Sequence, residues 1–375
     1  MVSSLYIHVP FCVRKCDYCD FESYAGRLAE ADGYIDRVLT EAEAQARVYG
    51  HFGVPTVYLG GGTPSLLSAE QLKRLLGGLF DLYPPERDAE ISMEMNPGTV
   101  TEDKLAAAVS MGVNRVSLGV QSASDRLLKS IGRIHDFAAA RDAVSLVREA
   151  GIENINLDMM FALPGQTETD IAETIGAFSA LHPSHISCYE LILEEGTPLT
   201  KRIAAGEETV PDEDETARAQ LMAIEKLAAL GYHRYEISNY ALPGKECRHN
   251  LVYWTGGNYL GLGCAAHSFM EGERFRDPDY ARYMGGEYAI DKETVDRSGL
   301  IEECLLLETR LTRGIDLSRF ENRFGASAKD ALLRAAKSLP AQYVREQNGF
   351  LAFTDEGLLV HNALVLHISE QISRT

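Results

Sequence analysis

A chain of 375 residues has material for two domains of about 100–200 residues each, and 45% apolar with 24% charged residues is the balance of a globular protein. Its formal net charge of −19 argues against broad contact with nucleic-acid backbone or an anionic lipid surface, local basic patches aside. No apolar run reaches the roughly 18–20 residues of a membrane span, and residues 1–11 read as a short strand rather than a targeting segment, so the expected address is cytoplasmic. Along the chain, apolar runs rich in β-branched residues at 5–9, 56–59, 90–95, 115–120, 154–159, 185–191 and 234–237 predict strands. Amphipathic stretches at 32–48, 69–82, 102–111, 136–150, 170–181 and 212–230 predict helices between them, several opened by Ser, Thr or Asp. That alternation predicts an α/β fold, a right-handed (β/α) barrel, complete or partial, over residues 1–240. Residues 241–298 read as a loop rich in Gly and aromatics (249–269) followed by a polar connecting stretch. Residues 299–375 read as a small winged-helix-like domain, with helices at 301–308, 317–324 and 330–339 and a hairpin at 343–346 and 351–353.

Seven cysteines, three of them within the segment Cys12-Val-Arg-Lys-Cys16-Asp-Tyr-Cys19, suit a metal site in a reducing compartment better than a disulfide framework. The triplet follows the first strand, where a barrel would carry it over the mouth of its active face. Three thiolates can hold three irons of a cubane cluster, leaving a fourth iron open to a ligand. Zinc with His8 as fourth ligand is the alternative, although His8 falls inside a strand. Cys188, Cys247, Cys264 and Cys304 are scattered and read as small buried hydrophobes.

Polar or glycine-rich positions recur at the other strand ends. Gly60-Gly61-Gly62-Thr63-Pro64 follows the second strand and lets backbone approach a ligand, or forms a plain turn. Glu94, Gln121 and Asp158 end the third, fourth and fifth strands; each alone could be a cap or loop anchor, but together they describe a polar ring. Arg133 is a fixed cation near that ring, suited to clamp a carboxylate.

The CxxxCxxC spacing, the GGGTP segment, the run from Tyr6 through Asp158 and the Leu163-Pro164-Gly165-Gln166-Thr167 segment resemble the radical-SAM superfamily, in its oxygen-independent coproporphyrinogen III oxidase-like family. The resemblance spans nearly the whole chain, including the C-terminal stretch 353–362. It implies a 4Fe–4S cluster on Cys12, Cys16 and Cys19, with S-adenosylmethionine (SAM) chelating the open iron; in that superfamily one electron from the cluster cleaves SAM to an adenosyl radical. It further implies that Tyr6, Gly61, Gly62, Thr63, Pro64, Glu94, Gln121, Arg133 and Asp158 line the SAM region and that Tyr18 packs near the cluster. Ile192 is carried over by spacing alone.

Two features separate the branches of that family. The oxidases of porphyrin biosynthesis carry a fourth cysteine two positions after the triplet, where this chain has Phe21, and an extension before the first strand, whereas this sequence has five residues before Tyr6. The second feature, His249-Asn250-Leu251-Val252-Tyr253-Trp254, resembles the HNxxYW signature of the haem-chaperone branch. The resemblance therefore implies haem as a ligand, His249 as a candidate axial ligand, and delivery of haem to haem-accepting proteins; the alternative reading of this segment is aromatic packing against the barrel. Cys264-Ala265-Ala266 stands where the family more often has Ala-Gly-Ala. Oxidative decarboxylation of coproporphyrinogen is the rival activity. No nucleic-acid partner is expected, and homodimerisation and membrane contact through a partner are left open.

Overall fold

The computed structural model describes residues 3–373. Its frame is a twelve-stranded sheet wound into an open barrel. Six strands alternate with helices: β1 (Ser4–Val9), β2 (Val54–Gly61), β3 (Pro85–Met95), β4 (Arg115–Gln121), β5 (Asn154–Phe161) and β6 (His185–Glu190), each parallel to the next. The helices between them are α1 (Ala31–Tyr49), α2 (Ala69–Leu82), α3 (Glu102–Ser110), α4 (Phe137–Glu149), α5 (Glu168–Ser179) and, after β6, α6 (Glu213–Ala229). Their starts are set locally. Ser68 with Gln71, Thr167 with Asp170 and Asp212 with Glu215 form reciprocal capping boxes at α2, α5 and α6, each cap stabilising its helix by about 0.5–2 kcal/mol. The outward faces of the strands (Leu5, Ile7, Val57, Leu59, Val116, Leu118, Ile155, Leu157) are essentially solvent-free beneath the helices. The inward faces carry the polar residues.

Two expectations about the sheet need correcting. The run at 234–237 is not a seventh parallel strand: β7 (His233–Glu236) and β8 (Asn239–Ala241) form an antiparallel hairpin that closes one edge against β6. The stretch 249–269 is not a loop. It contains helix α7 (Arg248–Trp254), strand β9 (Tyr259–Leu262), which lies parallel to β1 on its free side, and strand β10 (His267–Met270). With β11 (Glu273–Arg276) and β12 (Ile290–Thr294), β10 continues the sheet antiparallel beyond β9. The barrel's second half is therefore an extension of the same sheet.

The C-terminal residues form a second hydrophobic core around Leu305, Ile315, Phe320, Leu332, Phe353 and Ile368. Helices α8 (Arg297–Glu308), α9 (Leu317–Lys337, broken at Gly325) and α10 (His361–Ser373) pack with a three-stranded sheet of β13 (Ile315–Asp316), β14 (Val344–Gln347) and β15 (Phe350–Phe353). This is the winged-helix-like arrangement expected from the tail, with α10 added. Among the described residues no helix is long and apolar enough to cross a membrane.

Candidate functional site

The C-terminal ends of β2 to β6 and the loop after β1 converge on one cavity of about 440 Å³, lined by Cys12, Cys16 and Cys19 on one side and by Gly61, Gly62, Thr63, Glu94, Gln121, Arg133 and Asp158 around the rest. Parallel strands of one barrel deliver their ends to the same face, which is why residues spread over nearly 150 positions of sequence meet here.

The three thiols are half-buried and free. Among the described residues no group of three or more His, Cys, Asp or Glu closes on a point where one metal ion would sit. A cubane does not ask for that convergence, because each of its three protein thiolates binds a different iron. The surroundings fit thiolate charge: the Arg133 guanidinium donates to Cys16 Sγ at 3.3 Å, and Thr63 Oγ1 lies 3.6 Å from Cys12 Sγ. The loop itself is anchored from a distant segment. Arg202 binds Asp17 Oδ2 at 2.9 Å, the Ser130 carbonyl at 2.8 Å and Glu208 at 3.0 Å, while the Leu199 amide donates to the Asp17 carbonyl.

Gly61 and Gly62 run so close against β1 and the residues after it that no side chain would fit there. Gly61 has φ +108°, and a Cβ there would stand 2.5 Å from the His8 ring; one at Gly62 would stand 2.8 Å from the Phe11 carbonyl oxygen. Glu94 accepts from the Tyr58 hydroxyl at 3.0 Å and from the Gly61 amide at 3.1 Å. Asp158 accepts from Asn156 Nδ2 at 2.7 Å and Ser117 Oγ at 3.4 Å. Burial, and then the neighbouring Asp158 charge, push the Glu94 carboxyl up to about 7, and burial raises Asp158 as well. Two carboxyls with lifted pKa values in one enclosed cavity mark a place prepared for hydrogen-bond donors or a cation. Gln121 holds a left-handed backbone (φ 72°), unusual for a non-glycine residue, with its side chain fixed by the Tyr189 hydroxyl at 2.8 Å.

With that geometry in view, sequence comparison is informative. The family model described as Radical SAM superfamily matches residues 6–178, and that of the HemN C-terminal domain matches residues 295–360. Over 381 aligned residues, covering 98% of both proteins, the chain is 35% identical to the heme chaperone HemW of Haemophilus influenzae. The chain belongs to the HemW family of radical-SAM proteins. The heme chaperones HemW of Escherichia coli and Bacillus subtilis are 35% and 34% identical over 370 residues, in each case 96% of this chain and 97% of the relative. In fold, this HemW-family chain matches the solved coproporphyrinogen III oxidase (HemN) from Escherichia coli with a TM-score of 0.83 at 23% identity, over 98% of this chain and 90% of that one.

Of the residues singled out from sequence, the cysteines, Tyr18, the Gly61-Gly62-Thr63 segment, Glu94, Gln121, Arg133, Asp158 and the exposed Ile192 all line the cavity. Three do not. Pro64 is buried at the start of a short turn behind the glycines, and Tyr6 faces a neighbouring groove. His249 requires a correction of its expected role. It lies on α7 beneath the barrel, 1% exposed, with Nδ1 2.8 Å from Thr56 Oγ1 and Nε2 2.8 Å from the Tyr253 hydroxyl. Both ring nitrogens are committed, burial lowers its pKa to about 3, and its backbone amide donates to Glu90. No lone pair is presented to a cavity. Trp254, the other hallmark of that segment, turns toward the C-terminal domain with the Arg310 guanidinium 4.5 Å from its ring centre. His249→Ala should therefore cost on the order of 2–4 kcal/mol of stability, from a cavity and an unpaired Tyr253 hydroxyl, Thr56 keeping its bond to Ser4, while leaving cluster iron unchanged; denaturant unfolding and iron assay check this.

Sequence reasoning missed Arg202, Asp17, Ser117, Asn156 and Tyr189 as supports of the site. Tyr189 is the last residue but one of β6, as Gln121 is the last of β4, so the strand-end argument that found the polar ring could have found it too.

Proposed function

We propose that this chain is a cytoplasmic haem chaperone that carries a 4Fe–4S cluster on Cys12, Cys16 and Cys19, binds SAM beside it, and hands haem to haem-requiring proteins. The observation that carries the reading is the single cavity in which three half-buried thiols face a ring of glycine backbone and polar strand ends, in a chain whose full-length relatives are named heme chaperones. Bound together, cluster and SAM supply one-electron chemistry.

The chain's own residues supply position. Arg133 neutralises thiolate charge at Cys16; Gly61, Gly62 and Thr63 offer unobstructed backbone to the methionine end of SAM; and Glu94 and Asp158 accept from its hydroxyl or ammonium groups. Gln121, Ile192 and Tyr18 complete the wall. Phe21 in place of a fourth cysteine favours the chaperone over the decarboxylase. In the test, anaerobically reconstituted protein is titrated with haem and then mixed with a haem-free acceptor. Saturable binding followed by transfer is expected; no haem binding by cluster-loaded protein would defeat the proposal.

A further inference from the structure

Beside the thiol cavity lies a second, open groove of about 510 Å³, lined by Tyr6, His8, Tyr253, Tyr259, Ala265 and His267 on the barrel side and by Asp20, Phe21 and Glu22 from the cysteine loop. Its volume falls within the ~300–1,000 Å³ of small-molecule and cofactor sites. Asp20 and Phe21 line both cavities, so the two are separated only by the residues that follow Cys19.

Two imidazoles face this groove. His8 is buried and spent: Nδ1 lies 3.1 Å from the Tyr6 hydroxyl and Nε2 2.7 Å from the Glu22 carbonyl oxygen. His267 differs. It is exposed, at the start of β10, and among the described residues nothing forms a hydrogen bond to its ring. The other candidate ligands are less available: the Tyr6 and Tyr253 hydroxyls are bonded to His8 and His249, burial raises the Tyr259 pKa, and Cys264 is fully buried and turned toward Tyr34, whose hydroxyl lies 3.7 Å from its sulfur.

The walls suit a flat aromatic guest. Phe21 is 69% exposed, an unusual state for a large apolar ring, and lines the groove together with Tyr253 and Tyr259. Arg276 is the cross-strand partner of His267; its ion pair with Asp291 is solvent-exposed on both sides and thus weak enough to be exchanged for a carboxylate. Asp20 and Glu22 make the opposite rim acidic, which orients an anionic edge toward the arginine side.

Building on the haem-chaperone reading, we propose that haem seats in this groove with His267 as an axial ligand to its iron, its ring against Phe21 and Tyr259 and its propionates toward Arg276. The iron–nitrogen bond is a dative bond from the neutral imidazole; no electron or proton changes hands. Because Phe21 belongs to both cavities, haem and cluster would share a wall.

Anaerobically reconstituted wild type, His267→Ala and Phe21→Ala are titrated with haem, following the Soret band and affinity, with cluster iron assayed in parallel. His267 and Phe21 are exposed, so both variants should fold and keep wild-type iron. His267→Ala should shift the Soret band and weaken binding tenfold or more, with added imidazole restoring the wild-type spectrum, and Phe21→Ala should weaken binding severalfold. If wild type binds haem and His267→Ala matches it in spectrum and affinity, the placement is wrong while the chaperone reading stands. If cluster-loaded wild type binds no haem, the functional reading itself falls, and the placement with it.

Discussion

Replacing Cys12, Cys16 or Cys19 with Ala is expected to abolish the iron–sulfur absorbance of anaerobically reconstituted protein, which otherwise should hold about four irons and four sulfides per chain. The expectation rests on the loop geometry. The three thiols come from one eight-residue turn held rigid by Asp17, whose carboxylate and backbone are tied to Arg202, Leu199 and Ile131. Removing one thiolate leaves two iron-binding groups, and at Cys16 it also takes the sulfur from the Arg133 guanidinium. Arg133→Ala should retain cluster at lower occupancy, since it touches a thiolate without supplying a ligand. Stoichiometric zinc in anaerobically purified wild type, with no iron taken up on reconstitution, would contradict this assignment.

Glu94→Ala and Asp158→Ala should each weaken SAM binding by about 10–100-fold, or roughly 1.4–3 kcal/mol, with iron content preserved. Neither carboxylate contacts a thiol: Glu94 is held by Tyr58 and Gly61, Asp158 by Asn156 and Ser117. The pH dependence follows from burial of Glu94, to which the Asp158 charge adds. Glu94 titrates near 7 in the free protein, and only its ionised form accepts through both oxygens, so SAM affinity should rise as pH increases through about 7. Asp158→Asn removes a charge that holds the Glu94 proton on, and should move that rise to lower pH. Anaerobic calorimetry across pH measures both effects. Iron lost in parallel with SAM affinity would make the two carboxyls structural.

Much of the site was readable because its residues sit where a simple rule puts them. Each of β1 to β6 ends in an apolar run and is followed by a helix, several of them capped, so the strand ends could be located to within a residue or two and their polar residues gathered into a ring. The misreadings have physical causes. Tyr259–Leu262 is four residues long and includes Gly261, whose missing side chain makes room for the His267 carbonyl as the chain turns from β9 into β10; a Cβ there would come within 2.2 Å of that oxygen. Its strand character comes from pairing with Ser4 to Ile7, some 250 residues away, and not from local propensity.

His249 was misplaced for the converse reason. A motif pointed to a ligand, while the i, i+4 spacing of His249 and Tyr253, present in the sequence, is that of two side chains stacked on one helical face and bonded to each other. Arg202 is 185 positions from Asp17 and could be recognised only after folding.

The most direct test of the account sets two reactions side by side. Reconstituted, cluster-loaded protein is given SAM, a reductant and coproporphyrinogen in one vessel, and haem in another. The account predicts saturable haem binding with its own Soret band and no carbon dioxide released from coproporphyrinogen. Sustained, SAM- and cluster-dependent decarboxylation without haem binding would contradict it.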